Sequence, residues 1–148
     1  MRTTFIVGFP GETDAEFEEL VAFVKEAKFE RCGVFTYSYE PGTPAIKLDG
    51  HLDESIKTER RALLMEAQQD VALAWSAAQV GKTIDVIVDG PDPELPNHVQ
   101  ARGHADAPDI DCMVRVKGKG LQMGDIVSVK VTAADGYDLA ARAVGAVR

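Results

Sequence analysis

The hydrophobic period of this chain changes once, close to residues 80–82, and that change limits what it can fold into more than any other feature. Before it, Ile56, Leu63, Leu64, Ala67, Val71, Ala74, Trp75 and Ala78 recur at helical spacing. After it, Ile84-Asp85-Val86-Ile87-Val88, Met113-Val114-Arg115-Val116 and Ile126 to Val131 alternate. A period of 3.6 and a period of 2 cannot belong to one element, so two differently built regions meet at Gly81-Lys82. With 148 residues, 45% of them hydrophobic and 27% charged, the chain has material for one or two small globular domains.

The first region opens on Thr3 to Val7, a β-branched and aromatic run that meets Gly8-Phe9-Pro10-Gly11 and reads as a strand ending in a turn. Thr13-Asp14-Ala15-Glu16 has the form of a capping box, in which the threonine and glutamate satisfy each other's backbone donors at a helix start. Phe17, Leu20, Val21, Val24 and Ala27 then give that helix one apolar stripe. Gly33 to Tyr37 is a second strand, and strand, helix, strand in this order implies parallel pairing. Pro41-Gly42-Thr43-Pro44 forces a loop. A long helix is expected from an Asp53 N-cap to about Gln79, with Arg60, Arg61, Glu66 and Gln69 mostly off its apolar face and Gly81 as its stop.

Beyond Lys82, further strands are expected around His98 to Arg102 and Tyr137 to Val144. Five short strands between Gly, Pro and Asp turns imply a small antiparallel β-barrel. The fold class is thus α/β followed by all-β, with divisions at 1–50, 51–81 and 82–148.

A net charge of −8 argues against tight binding to a phosphate backbone, because that affinity comes from Lys and Arg releasing condensed counterions. Acidic surfaces suit basic partners. No apolar run reaches the roughly 18 residues of a membrane span, and the start is too short for a signal peptide, so a cytoplasmic monomer is expected. Cys32 and Cys112, the two cysteines, have neither zinc-site nor redox-motif spacing and read as half-buried thiols. His51, His98 and His104 have no ligand spacing either.

Four stretches carry a family resemblance. They are Arg2 to Thr13 with its Gly8-Phe9-Pro10-Gly11-Glu12 turn; Gly33 to Ser38 with Glu40-Pro41-Gly42-Thr43-Pro44-Ala45; the long helix running into Gly81-Lys82-Thr83; and Ala105-Asp106-Ala107-Pro108-Asp109-Ile110-Asp111 with Gly124-Asp125-Ile126-Val127. Together they resemble the radical-SAM methylthiotransferase family over nearly the whole chain. The aspartate-rich stretch is similar to the RimO branch, which modifies an aspartate of the twelfth small-subunit ribosomal protein. Cys112 departs from the glycine usual at its position, which puts a tight turn there in doubt.

The resemblance implies the last βαβ portion of a radical-SAM partial TIM-type barrel over 1–50, a connector helix over 51–81 and a TRAM domain over 82–148. It implies a whole enzyme with two 4Fe-4S clusters and S-adenosyl-L-methionine. Each cluster needs a cysteine triplet, and this chain's two thiols supply neither, so no metal or catalytic residue is assigned to it and it is expected to be inactive in isolation. Thr4, Ile6, Gly8, Thr36 and Tyr37 match positions that would line the far wall of the SAM pocket. For Ile6, Phe35 and Tyr37, barrel core is the preferred reading over pocket lining, and Glu12 stands one place beyond the glutamate of the family motif. Asp106, Asp109 and Asp111 would give the TRAM domain an acidic surface for a basic ribosomal protein, RNA being the less favoured partner, or would be turn-forming residues.

Overall fold

The computed structural model describes residues 1–104, 106–107 and 112–147. The element order is β1 (Arg2–Val7), α1 (Asp14–Ala27), β2 (Arg31–Thr36), a 3-10 turn (Pro44–Lys47), α2 (Glu54–Ala77), then β3 (Thr83–Pro91), β4 (His98–Arg102), β5 (Val114–Lys117), β6 (Ile126–Asp135) and β7 (Asp138–Val147). Two compact units comprise Met1–Ala72 and Leu73–Arg148, so the division falls inside α2.

In the first unit β1 and β2 pair in parallel, with Thr4 beside Gly33, Ile6 beside Phe35 and Val7 beside Thr36. Because side chains alternate across a strand, Phe5, Val7 and Val34 face the helices, where Phe17, Val24 and Leu64 complete a core. The capping box forms as the sequence indicates: the Glu16 amide donates to the Thr13 hydroxyl, and the Thr13 amide donates to the Glu16 carboxylate at 2.8 Å.

Helix α2 buries a different face from the one its hydrophobic pattern suggested. Leu64, Ala67 and Ala72 are buried, but so are Lys57, Arg60, Gln68 and Ser76, and Gln79 just beyond the helix, while Ile56 and Leu63 are exposed. These buried polar groups each have a hydrogen-bond partner, which is the condition for their burial, although the Gln68 side-chain oxygen is enclosed without one. Gln68 donates to the Phe29 carbonyl at 2.9 Å, Arg60 reaches Glu12 and Asp14, and the partly exposed Arg61 donates to the Val34 carbonyl at 3.0 Å. The first half of α2 is therefore fastened to the strand ends by polar anchors spaced along one face.

The second unit is a closed barrel in the order β3-β4-β5-β7-β6. Alternation again sorts the residues: Val86, Val88, Val116, Val127, Val129 and Val131 lie 2% exposed or less in the interior. One expectation fails, since β5 and β7 run parallel. Five strands in a closed ring cannot all be antiparallel to both neighbours, because strict alternation of direction requires an even number. The β6–β7 hairpin turns through Gly136 (φ +60°), and β7 then closes the ring against β5. No helix among the described residues is long and apolar enough to cross a membrane.

Candidate functional site

In the first unit the expected SAM-lining residues divide into three groups. Thr4 and Ile6 share the open face of the two-stranded sheet with Gly33 and Phe35, and Ile6 and Phe35 are 60% and 62% exposed. Thr36 is aligned with Val7 and lies on the opposite, helix-facing side, a placement that period-2 alternation fixes once Ile6 faces outward. Gly8 and Tyr37 stand at the strand ends, where the Tyr37 amide donates to the Val7 carbonyl at 2.8 Å.

The Tyr37 ring is buried among its own neighbours, with Phe9 at 5.3 Å edge-on, His51 at 6.0 Å and the Lys57 ammonium 5.4 Å from its centroid. Its hydroxyl is enclosed without a hydrogen-bond partner. Gly8 has φ +76°, and a Cβ there would stand 2.5 Å from Lys57 Cγ, so the packing of α2 is enough to demand glycine. Glu12 turns back onto the backbone: one carboxylate oxygen accepts from the Gly8 amide at 3.0 Å and the other from Arg60 at 2.6 Å. In this conformation the carboxylate braces the turn.

An iron-sulfur cluster does not suit this donor set. Cys32 and Cys112 belong to different units, and no group of three His, Cys, Asp or Glu side chains gathers among the described residues. Burial pushes the Cys32 thiol above its ordinary value, which disfavours the ligating thiolate.

In the barrel, Asp106, one of the aspartates expected to form an acidic surface, acts as a backbone acceptor, as do three others. Asp106 accepts from the Gly103 amide, Asp125 from Gln122, Asp138 from Met113, and Asp92 from both Glu94 and Leu95. These bonds fix turns. Asp109 and Asp111 lie outside the described residues. Two arginines are paired, Arg102 with Asp89 at 2.9 Å and Arg115 with Glu94 at 2.8 Å.

A feature that was not read from the sequence is a row of basic side chains across four strands. His98 is aligned with Lys117, Lys117 with Arg142, and Arg142 with Lys130. All four alternate with interior residues and so point outward. Beside the row lies an open cavity of about 510 Å³, lined by His98, Arg115, Lys117, Arg142, Leu95 and Asp135 among others. The signal was hidden because these four residues lie far apart in sequence and only the register aligns them.

Comparison with known proteins fits this division. Residues 80–144 match the TRAM domain family. Over 94% of its length the chain is 48% identical to a protein of Thermosynechococcus vestitus named ribosomal protein uS12 methylthiotransferase RimO, and 47% identical to the Methylorubrum populi protein of that name. An Anaeromyxobacter relative with the same name is 41% identical over 97% of the chain. The chain spans 31% of the length of each of these relatives.

Proposed function

From a chain that carries a TRAM domain and is similar along nearly its whole length to a C-terminal portion of RimO-type methylthiotransferases, we infer a part in methylthiolating an aspartate of a small-subunit ribosomal protein. The observation that carries this reading is identity of 44–48% over 94% of the chain to several relatives of that name. Chemistry belongs to the whole enzyme, where clusters held by other residues would cleave S-adenosyl-L-methionine.

This chain's contribution is a wall and a recognition module. The wall is the open face with Thr4 and Ile6 and the Gly8 turn braced by Glu12, while Thr36, on the helix-facing side, and Tyr37, enclosed among its neighbours, stand behind it. Exposed Ile6 and Phe35 offer apolar surface of the kind that covers a flat ring or further strands. Recognition falls to the barrel, where the negative charge of Asp106, Asp109 and Asp111 suits a basic protein substrate.

The test uses a protein in which this chain is joined to the methylthiotransferase and radical-SAM regions that the family resemblance implies. Incubated with uS12, reductant, sulfide as the sulfur source and S-adenosyl-L-methionine as methyl donor and oxidant, it should add one methylthio group in place of a hydrogen on an aspartate, detected by peptide mass spectrometry. The 148-residue chain alone should add none. Methylthiolation of a tRNA base in place of uS12 would overturn the reading.

A further inference from the structure

We propose that the groove between α1 and α2 is a docking site for a basic amphipathic helix of a partner protein. A cavity of about 400 Å³ lies between the two helices, and every residue lining it belongs to the first unit.

The floor of the groove is apolar. Phe17 and Val21 come from α1, Leu63 and Ala67 from α2, and Leu63 is left 46% exposed although it belongs to the helix's hydrophobic stripe. Leu64 and Gln68, one position on from Leu63 and Ala67, supply the inward contacts of α2, so Leu63 is spare to the core. The α2 positions that line the groove are 63, 66, 67 and 70, which follow i, i+3, i+4 and i+7. One face of the helix, about 10 Å long at 1.5 Å per residue, is therefore turned to the groove.

The rim decides what covers that floor. Glu18, Glu66 and Asp70 are exposed carboxylates, set against one cation, Lys25. None of the three acids takes part in the ion pairs found among the described residues, whereas Glu12, Asp14 and Glu54 of the same unit are held by Arg60 and Lys57. Open carboxylates beside apolar surface attract Lys and Arg that flank an apolar stripe, and repel an acidic segment or an anionic lipid surface. A metal ion is a poor occupant, because no three acidic, His or Cys side chains gather to hold one among the described residues. An extended peptide gains little there, since walls made of helix side chains present no open backbone edge to pair with. A helix does better, because its ridge of side chains seats in the crease between the other two. Its apolar residues at i, i+3, i+4 and i+7 would cover Leu63 and Val21, and its basic residues would meet Glu18, Glu66 and Asp70.

The experiment titrates the full 148-residue chain into a fluorescein-labelled peptide of about eighteen residues and follows anisotropy at low and at physiological salt. The peptide is built of Leu, Ala and Lys, with leucines on one helical face and lysines on both sides of it. E66K/D70K should bind it at least about tenfold more weakly than the parent. Leu63→Ser should bind at least about threefold more weakly. E19K/E26K makes the same change of net charge at exposed α1 positions outside the groove, and should stay within about twofold of the parent. A peptide with glutamate for each lysine should reverse the order and bind E66K/D70K more tightly than the parent. Circular dichroism on each variant guards against misfolding, and E66Q/D70N should give the same direction with a smaller loss. When the chain is joined to the methylthiotransferase and radical-SAM regions, binding should persist. Equal losses in the two double Lys variants, equal binding of a peptide of the same composition with its apolar face scrambled, or no binding at low salt would each overturn the proposal. So would binding that disappears in the joined protein, because the enzyme's own polypeptide would then be what covers the groove.

Discussion

The Arg60 guanidinium donates to the Glu12 carboxylate at 2.6 Å and to the Glu12 carbonyl at 3.1 Å, tying α2 to the turn that ends β1. Its second nitrogen reaches Asp14 at 2.6 Å, and its carbon lies 5.4 Å from the Phe17 ring centroid. One side chain, 5% exposed, therefore holds a strand end, a helix start and a second helix together.

Removing it should leave the Glu12 carboxylate largely buried with one remaining partner. Arg60→Ala is expected to destabilise the first unit by about 3 kcal/mol, the range for breaking a buried pair. Arg60→Lys should retain a minor part of that, because a point charge cannot serve Glu12 and Asp14 as a fork does. Urea unfolding followed by far-ultraviolet circular dichroism measures both.

Gly8 and Gly11 separate crowding from backbone strain. Both have positive φ, but a Cβ on Gly8 meets Lys57 Cγ at 2.5 Å, whereas nothing lies within 4 Å of one on Gly11. Gly11→Ala should cost about 1 kcal/mol, from strain alone. Gly8→Ala should cost about 1 to 3 kcal/mol more, the scale of overpacking. In the background of Lys57→Ala that excess should shrink, and a double-mutant cycle reads the coupling directly.

Asp92 gives the barrel a dependence on pH. The Glu94 amide, with the Leu95 amide and the Arg115 guanidinium, holds its carboxyl below the ordinary value of 3.8 against the opposing effect of burial. A carboxylate whose folded value is depressed adds stability that is fully present above the unfolded value and lost as pH falls through the folded one. The advantage of the parent over Asp92→Asn should therefore be constant at neutral pH and shrink once pH drops below about 3.8. Thermal unfolding of the two proteins from pH 7 down to pH 2.5 checks this; an advantage that grows on acidification contradicts it.

Much of this fold could be read from the chain because local rules acted alone. Thr13 and Glu16 form their capping box from neighbouring atoms, and β4 spans His98–Arg102 as alternation indicated. Two features escape local rules because they depend on contacts made only by folding. Arg60 lies on the buried face although hydrophobicity counts a guanidinium as exposed, because Glu12 and Asp14, brought close only by folding, make its burial tolerable. The parallel β5–β7 pair was missed because alternation fixes faces, not neighbours; only closure of an odd ring forces it. The basic row follows from the same pairing. Arg142 enters it beside Lys117 only through that parallel register.

The two units should differ in how their backbones resist exchange with solvent. In the first, β1 and β2 pair only with each other among the described residues, so each strand keeps an edge whose alternate amides have no ladder partner. Its open face adds no cover, since Ile6 and Phe35 are more than half exposed. In the second, every strand has two neighbours, and fully buried Val116 and Val129 sit where local opening requires breaking the ring. Hydrogen exchange with mass spectrometry should therefore find amides near Val116 and Val129 opening only with global unfolding, and the unpaired amides of β1 exchanging far sooner. Equal protection in β1 and β6 would mean that the open sheet is covered by something else in solution, a second copy being the first to test by sedimentation.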